Sequence, residues 1–442
     1  MKRTEQESRF GIWTSRGTTY VRMPMIVFIG ALLTIITLTI LFWSVKRKTT
    51  LELRVEDPGE LSALMPSLVG LTQSSLDQGN KVEVLQNGSD FFPLLFRDLT
   101  AAKESIHFET YIWYDGEVSR QLATLLARKA REGVVVRIMV DAAGGRQLKG
   151  EVRDLLEGAG AHVTHFNPFR LRNLGRMNNR DHRKLAVIDG RIGFIGGHGI
   201  ADEWMGDGQN REYYRDTALR VTGPVVNRMQ AAFSENWIKE TGEILAADRY
   251  FPRLTPTGTS AAHLAYTSPT GSVSSVQILY YLAIKAARRE IIIQNPYLLP
   301  DGEAIEALAG AVARGVEVKI MVPSDEATDM PIVQHASHRN FGTLLRRGVR
   351  IWEYRKTLLH QKVMIVDGVW SAVGSTNFDD RSFRLNHEAS IGVLDPAVAA
   401  ELRAAFEEDL KHATELNFEQ WKGRSFWHKT IDGVAYLGRS QM

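Results

Sequence analysis

Two stretches of the chain repeat one chemical pattern. His182-Arg183-Lys184 runs through four apolar residues to Asp189, and His360-Gln361-Lys362 runs through four more to Asp367. On a strand, side chains two apart share a face, so the histidine and lysine of each copy point the same way. An imidazole can attack or protonate and an ammonium can hold anionic oxygens, which together suit a phosphate. A small-residue turn follows each copy at the same distance, Gly196-Gly197-His198-Gly199 in the first and Gly374-Ser375-Thr376-Asn377 in the second. One such match is easily accidental. Two at equivalent places in an internal repeat are hard to explain as core packing. Asp189 and Asp367 are candidate catalytic residues, although each precedes a glycine and reads equally well as a turn former with a structural hydrogen bond.

The elements that must position these groups also come twice. In the first half, strand-like runs at 82–85, 106–111, 134–140 and 162–166 alternate with helical patterns at 117–131 and 148–158. In the second half, helices at 278–287, 303–314 and 341–347 alternate with strands at 291–294, 316–322 and 349–354. Tyr111, Asp115 and Gly116 correspond to Tyr297, Asp301 and Gly302 at one constant offset. Val363–Val366 and Trp370–Val373 read as a hairpin around Asp367-Gly368. The pattern predicts two similar α/β domains, 81–250 and 261–415, each with a mixed, largely parallel sheet covered on both faces. The boundary falls in the Pro/Thr/Gly/Ser-rich stretch 252–260.

The 442 residues suit two domains, and the 44% hydrophobic content supplies their cores. A net charge of +3 is too small to argue for nucleic acid, and the absence of cysteine excludes disulfides, thiolate metal sites and a cysteine nucleophile. A polar segment, 1–22, precedes residues 23–45, which carry no charge and would span roughly 35 Å as a helix. This run is long for a signal peptide and no A-x-A-like site follows it, so it reads as an uncleaved transmembrane helix. Basic residues flank it on both sides, a near balance that leans only weakly to a cytoplasmic catalytic part. Residues 46–80 read as a linker with a short helix near 61–68, and 416–442 as a tail that either lies at a membrane interface or caps the second domain. Arg170, Arg172, Arg176 and Arg180, interleaved with Phe169, Leu171, Leu174 and Met177, either rest on anionic headgroups or form a solvated loop. His162/His165 and His335/His338 lack a matching carboxylate or cysteine cluster in sequence and read as surface or structural, so no metal is expected.

Across residues 80–415 the chain resembles the phospholipase D superfamily with two HKD motifs, in particular bacterial cardiolipin synthases. The second copy carries the resemblance most specifically, with Gly374–Asn377, Asp379-x-Arg381-Ser382 and Asn386-x-Glu388 after His360-x-Lys362. It implies two phospholipase D-like α-β-α sandwich domains in pseudo-twofold arrangement. It also implies a phosphohistidine mechanism without a cofactor, in which one histidine attacks phosphorus and the other protonates the leaving alkoxide. The commoner order in the family makes His182 the nucleophile and His360 the acid/base. Lys184, Lys362 and Asn377 would bind the phosphate, and Asp216 and Glu388 would orient the histidines. The first copy departs from the family pattern, with Gly199 where the asparagine usually stands. His198 is either a substitute donor or a loop residue.

The resulting expectation is a single-pass enzyme of the bacterial inner membrane that moves a phosphatidyl group between two phosphatidylglycerol molecules, giving cardiolipin and glycerol. One chain would supply the whole site without oligomerisation. The alternatives are a hydrolytic phospholipase D, a phosphodiesterase or nuclease on the same motifs, and an anchored lipid-binding protein.

Overall fold

The computed structural model describes residues 12–15, 18–21, 25–45, 55, 59–170, 178–269 and 273–439, with side chains in the 25–45 helix described over 27–38. The chain forms two compact units, residues 1–52 and 53–442. In the first, β1 (Ile12–Ser15) pairs antiparallel with β2 (Thr18–Val21), and α1 spans Met25–Val45. A helix of 21 residues is about 31 Å long. Its Thr34 hydroxyl bonds back to the Gly30 carbonyl at 2.8 Å, so that polar group needs no outside partner. Among the described residues, no helix is long and apolar enough to cross a membrane. The predicted span at 23–45 is therefore seen as a helix, not as a demonstrated crossing.

The second unit opens with α2 (Leu61–Leu71), then β3 (Asp77–Gln86), α3 (Asn87–Ala101), β4 (Ser105–Thr110), α4 (Glu117–Arg131), β5 (Val135–Asp141), α5 (Glu151–Gly158) and β6 (His162–Phe166). After the insertion come β7 (Leu185–Ile188), β8 (Ile192–Gly196), β9 (Thr217–Thr222) and α6 (Val226–Thr241). The second half has β10 (Ser260–Thr267), α7 (Ser275–Ala286), β11 (Glu290–Gln294), β12 (Leu298–Leu299), α8 (Gly302–Ala313), β13 (Glu317–Pro323), α9 (Pro331–Arg346) and β14 (Arg350–Tyr354). It continues with β15 (Val363–Val366), β16 (Trp370–Gly374), β17 (Phe378–Asp379), α10 (Asp380–Arg384), β18 (Glu388–Leu394), α11 (Pro396–Leu410), β19 (Ala413–Glu415), α12 (Phe418–Lys422) and α13 (Phe426–Leu437).

The strands form one continuous order, β19-β14-β13-β11-β15-β16-β18-β10-β3-β9-β8-β7-β4-β5-β6, symmetric about the antiparallel β10–β3 pair except for β19. The expectation of a largely parallel sheet is corrected here. Within this sheet, among the described residues, only β4–β5–β6 and β11–β13–β14 pair in parallel, where helical crossovers connect them. The strands that follow each His–Lys pair return through three-residue turns and are antiparallel. Helices α3–α5 cover one face of the first half and α7–α9 one face of the second. On the other side α6 and α11 join a core shared by the halves, in which Leu185, Val187, Ile195 and Leu219 lie with Ile292, Val363, Ile365 and Ile391.

The short helix expected near 61–68 is present as α2, but 59–80 is packed chain rather than a free linker. Leu61, Leu64, Met65 and Leu68, spaced as one helical face, are buried in the core of the second half beside α7, and β3 begins at Asp77. The tail is helical and packs α12 and α13 against α9, burying Trp421 and Ala435.

Candidate active site

His182 and His360 stand just before β7 and β15, at the seam of the two halves. The local sequence builds each mount alike. A left-handed Asp-Gly turn (φ +53° and +61° at 189–190, +55° and +65° at 367–368) closes a tight hairpin and fixes which face the preceding strand presents. The seam is held by two isolated parallel bridges, Asp181 to His387 and Arg215 to Leu359. The His182 amide donates to the His387 carbonyl at 2.9 Å, and the His360 amide donates to the Arg215 carbonyl at 2.7 Å.

Those bridges decide which carboxylate serves which histidine. Glu388 follows His387, and both its oxygens lie 3.1 Å from His182 Nδ1. Asp216 follows Arg215, and its Oδ2 lies 2.7 Å from His360 Nδ1. The pairs are crossed, since each half supplies the carboxylate for the other half's histidine. Both carboxylates are fully buried. Burial alone would raise Asp216, but its interactions with His198 and His360, the latter through a hydrogen bond, and the charge of Lys362 hold it far below the usual range. Glu388 is likewise lowered against its burial, by His182, Lys184 and the Ser375 hydroxyl, which donates to Oε2 at 2.5 Å. Asn386 Nδ2 donates to Glu388 Oε1 at 3.2 Å. An ionised acceptor at each Nδ1 holds the proton there and leaves Nε2 with its lone pair.

The site is buried and cationic. Burial lowers His182 to about 4 and His360 to about 3, with Lys184 and Lys362 adding repulsion from both halves. Both imidazoles are therefore neutral near pH 7 in the empty site. Burial also lowers Lys184 to about 8 and Lys362 to about 7. Lys184 Nζ donates to the His182 carbonyl at 3.0 Å, and Lys362 Nζ lies 3.0 Å from His360 Nδ1. Asn377 is buried, and its Oδ1 has no hydrogen-bond partner among the described residues. Tyr111 closes one side, with its ring 5.2 Å from that of His182 and 5.7 Å from Lys184 Nζ.

The asymmetry of the two turns has a steric cause. A Cβ at Gly199 would lie 3.0 and 3.2 Å from the Trp204 indole and 3.2 Å from Ile112 Cβ. The space an asparagine would need is filled by Trp204, whose Nε1 donates to Asp216 Oδ2 at 2.8 Å and whose ring meets His360 edge-on at 5.1 Å. A Cβ at Gly197 would lie 2.3 Å from Asp216 Oδ1, so only glycine fits where the second copy has Ser375. His198 is buried and stacks on Phe91 at 4.3 Å, a packing role. Trp204 was not singled out from sequence; its signal was the bulky aromatic in Ala201-Asp202-Glu203-Trp204, close to a missing side chain.

Asp189 and Asp367 do not join the histidines. Asp189 accepts from the amides of Lys103, Glu104 and Ser105, and Asp367 from those of Arg288, Arg289 and Glu290. Their place among the catalytic candidates is corrected, because they tie each hairpin turn to the start of the neighbouring strand. His335 and His338 do acquire a carboxylate, from Asp432 in α13, with His335 Nδ1 3.0 Å from Oδ1. The Arg424 guanidinium already contacts this group, 2.9 Å from Asp432 Oδ2 and 3.4 Å from His338 Nδ1, so a cation is built in. Of the basic insertion, Phe169 is exposed, while residues 171–177, including Arg172, Leu174, Arg176 and Met177, lie outside the described residues.

A doubled sheet carrying two buried His–Lys pairs on one seam is the architecture of a phospholipase D-like protein. The profile of the family "Cardiolipin synthase, PLD-like domain" matches residues 95–237 and 280–410, and the chain belongs to that family. It is 35% identical to a cardiolipin synthase of Staphylococcus aureus over 82% of this chain and 74% of the relative. It is 36% identical to that of Listeria innocua over 82% and 75%. Among solved structures it is similar to phosphatidylserine synthase of Haemophilus influenzae, with a TM-score of 0.64 at 14% identity, over 86% of this chain and all of the other. It also resembles polyphosphate kinase of Porphyromonas gingivalis, with a TM-score of 0.51 at 15% identity, over 82% of this chain and 50% of the other. The last two likenesses concern the fold alone.

Proposed function

We propose that the chain is a membrane-bound phosphatidyltransferase that makes cardiolipin and glycerol from two phosphatidylglycerol molecules. The observation that carries this is the pair of crossed, buried His–carboxylate couples flanked by two lysines, in a chain of the cardiolipin synthase family. His182 Nε2 attacks the phosphorus of the first phosphatidylglycerol while Lys184, Lys362 and Asn377 hold the phosphate oxygens. The phosphodiester anion, entering among the buried cations, raises the proton affinity of His360. That histidine then protonates the glycerol alkoxide as the P–O bond breaks. His360, now neutral, takes the proton from the hydroxyl of the second phosphatidylglycerol. Its oxygen displaces His182 from phosphorus, giving cardiolipin. Burial of the couples favours transfer by limiting water.

The apolar helix Met25–Val45 would hold the site at the membrane that contains its substrates, as a single pass of the bacterial inner membrane with the catalytic unit cytoplasmic. Incubating the purified chain with labelled phosphatidylglycerol tests the reading. Cardiolipin and glycerol in equal amounts are expected, whereas phosphatidic acid alone would replace synthase by hydrolase. Labelled phosphohistidine should persist on His182 in the His360→Ala variant. Label on His360 in the His182→Ala variant would reverse the order.

A further inference from the structure

The tail helices line a cationic cavity that the chemistry above does not use. Between α9 and the α12–α13 pair lies a cavity of about 250 Å³ lined by Arg339, Arg346, Lys422, Arg424 and Lys429 around Trp421. The acid in its wall, Asp432, is already engaged by Arg424, His335 and, at 3.6 Å, His338. Arg424 also stacks on Trp421, 3.4 Å from the ring centroid, and Arg346 lies over Phe418. Arg339 and Lys422 are exposed. Several cations against one neutralised carboxylate make a pocket with a strong unmet positive charge.

The outer face of the same helix is apolar. Phe426, Trp427, Ile431, Val434 and Leu437 fall on one side of α13 and are 47–80% exposed. The opposite side docks through Ala435 on Leu299 and Ala336. Leu299 pairs with Asp379, two residues beyond Asn377, so this helix sits on the strand that frames the phosphate-binding turn. Met330 and Ile332, at the start of α9, are also exposed. An apolar helix face beside a cationic pocket is the arrangement of a helix lying in a bilayer surface with anionic headgroups beneath it.

We propose that α13 lies in the membrane interface and that the Arg339–Lys422 pocket holds the phosphate of an anionic phospholipid distinct from the reacting pair. This rests on the lipid reading only for the nature of the bilayer, and its test does not use turnover. The full chain, carrying His182→Ala, is placed in nanodiscs of phosphatidylcholine alone or with phosphatidylglycerol. Amide exchange is then followed over 331–346 and 418–437. Slowing of at least about threefold that requires phosphatidylglycerol is expected. It should disappear in the Arg339→Glu/Lys422→Glu variant, survive Arg339→Lys, and be weakened by Trp427→Ser/Ile431→Ser. A thermal unfolding scan checks that each variant is folded. Equal protection in both nanodiscs, or protection that survives the charge reversal, would overturn the proposal. So would equal protection by inorganic phosphate in lipid-free detergent, which would make this a soluble-anion site. If the unsubstituted chain makes no cardiolipin while the His182→Ala chain shows the phosphatidylglycerol-dependent protection, the synthase reading is removed and this one stands.

Discussion

Glu388→Gln tests the crossed pairing directly. The substitution keeps shape but removes the charge that holds the proton on His182 Nδ1, where both oxygens now sit at 3.1 Å. A hydrogen bond to a charged group is worth about 1.5–3 kcal/mol, so formation of the phosphohistidine should slow by about 10- to 150-fold. Asp216→Asn should act on His360 instead, weakening acid and base catalysis while leaving the nucleophile intact. The assay that separates them uses a phosphatidyl ester of p-nitrophenol, whose leaving group needs no proton. With it, the burst of nitrophenolate should stay near the parent rate in Asp216→Asn, followed by slow turnover, and be slowed by the full factor in Glu388→Gln. The opposite pattern, with label still trapped on His182, would refute the crossed assignment. The opposite pattern with label on His360 would refute the order of the histidines.

Gly199→Asn should lower activity rather than repair the first copy, because its Cβ would press on Trp204 and Ile112; a stability loss of about 1–3 kcal/mol in urea unfolding is expected, and a gain in rate would refute the steric account. Asp367→Ala removes an acceptor shared by three backbone amides, so it should lower stability by about 1–3 kcal/mol while the folded fraction keeps its kcat; a large fall in kcat at full folding would return this aspartate to the catalytic set. With Lys362 lowered to about 7 and Lys184 to about 8, rising pH strips positive charge from the free site, so kcat/KM for phosphatidylglycerol in detergent micelles should fall through this window; a profile flat to pH 9 would refute it.

Legibility followed sequence distance. The helix at Glu117–Arg131 and the strands at His162–Phe166 and Val363–Val366 lie where periodicity placed them, because each reports its own burial pattern locally. The parallel character of the sheet was misread because an apolar strand looks the same whichever way its neighbour runs. The short helix expected near 61–68 is there, but its burial in the core of the second half was not legible, because a helical face does not say what it packs on. Among candidate site residues, type and spacing picked out the histidines and lysines, and the family resemblance Asn377 and the two carboxylates; the structure brings the histidines, lysines and carboxylates together. Trp204 was missed because its role depends on filling a volume, which spacing does not reveal.

By itself the sequence determined that two equivalent His–Lys units exist, that they ride on two copies of one α/β pattern, and that an uncharged stretch precedes them. These are properties of residue type and short-range order. Only the tertiary structure decided how the copies share their chemistry. Glu388 reaches His182 across 206 residues and Asp216 reaches His360 across 144, because strands from opposite halves bridge at the seam. No local pattern encodes such a crossing, since it arises where segments of the two halves bridge at their seam. Tertiary packing also makes the copies unequal, placing Trp204 and Asp216 where the first turn has room only for glycine.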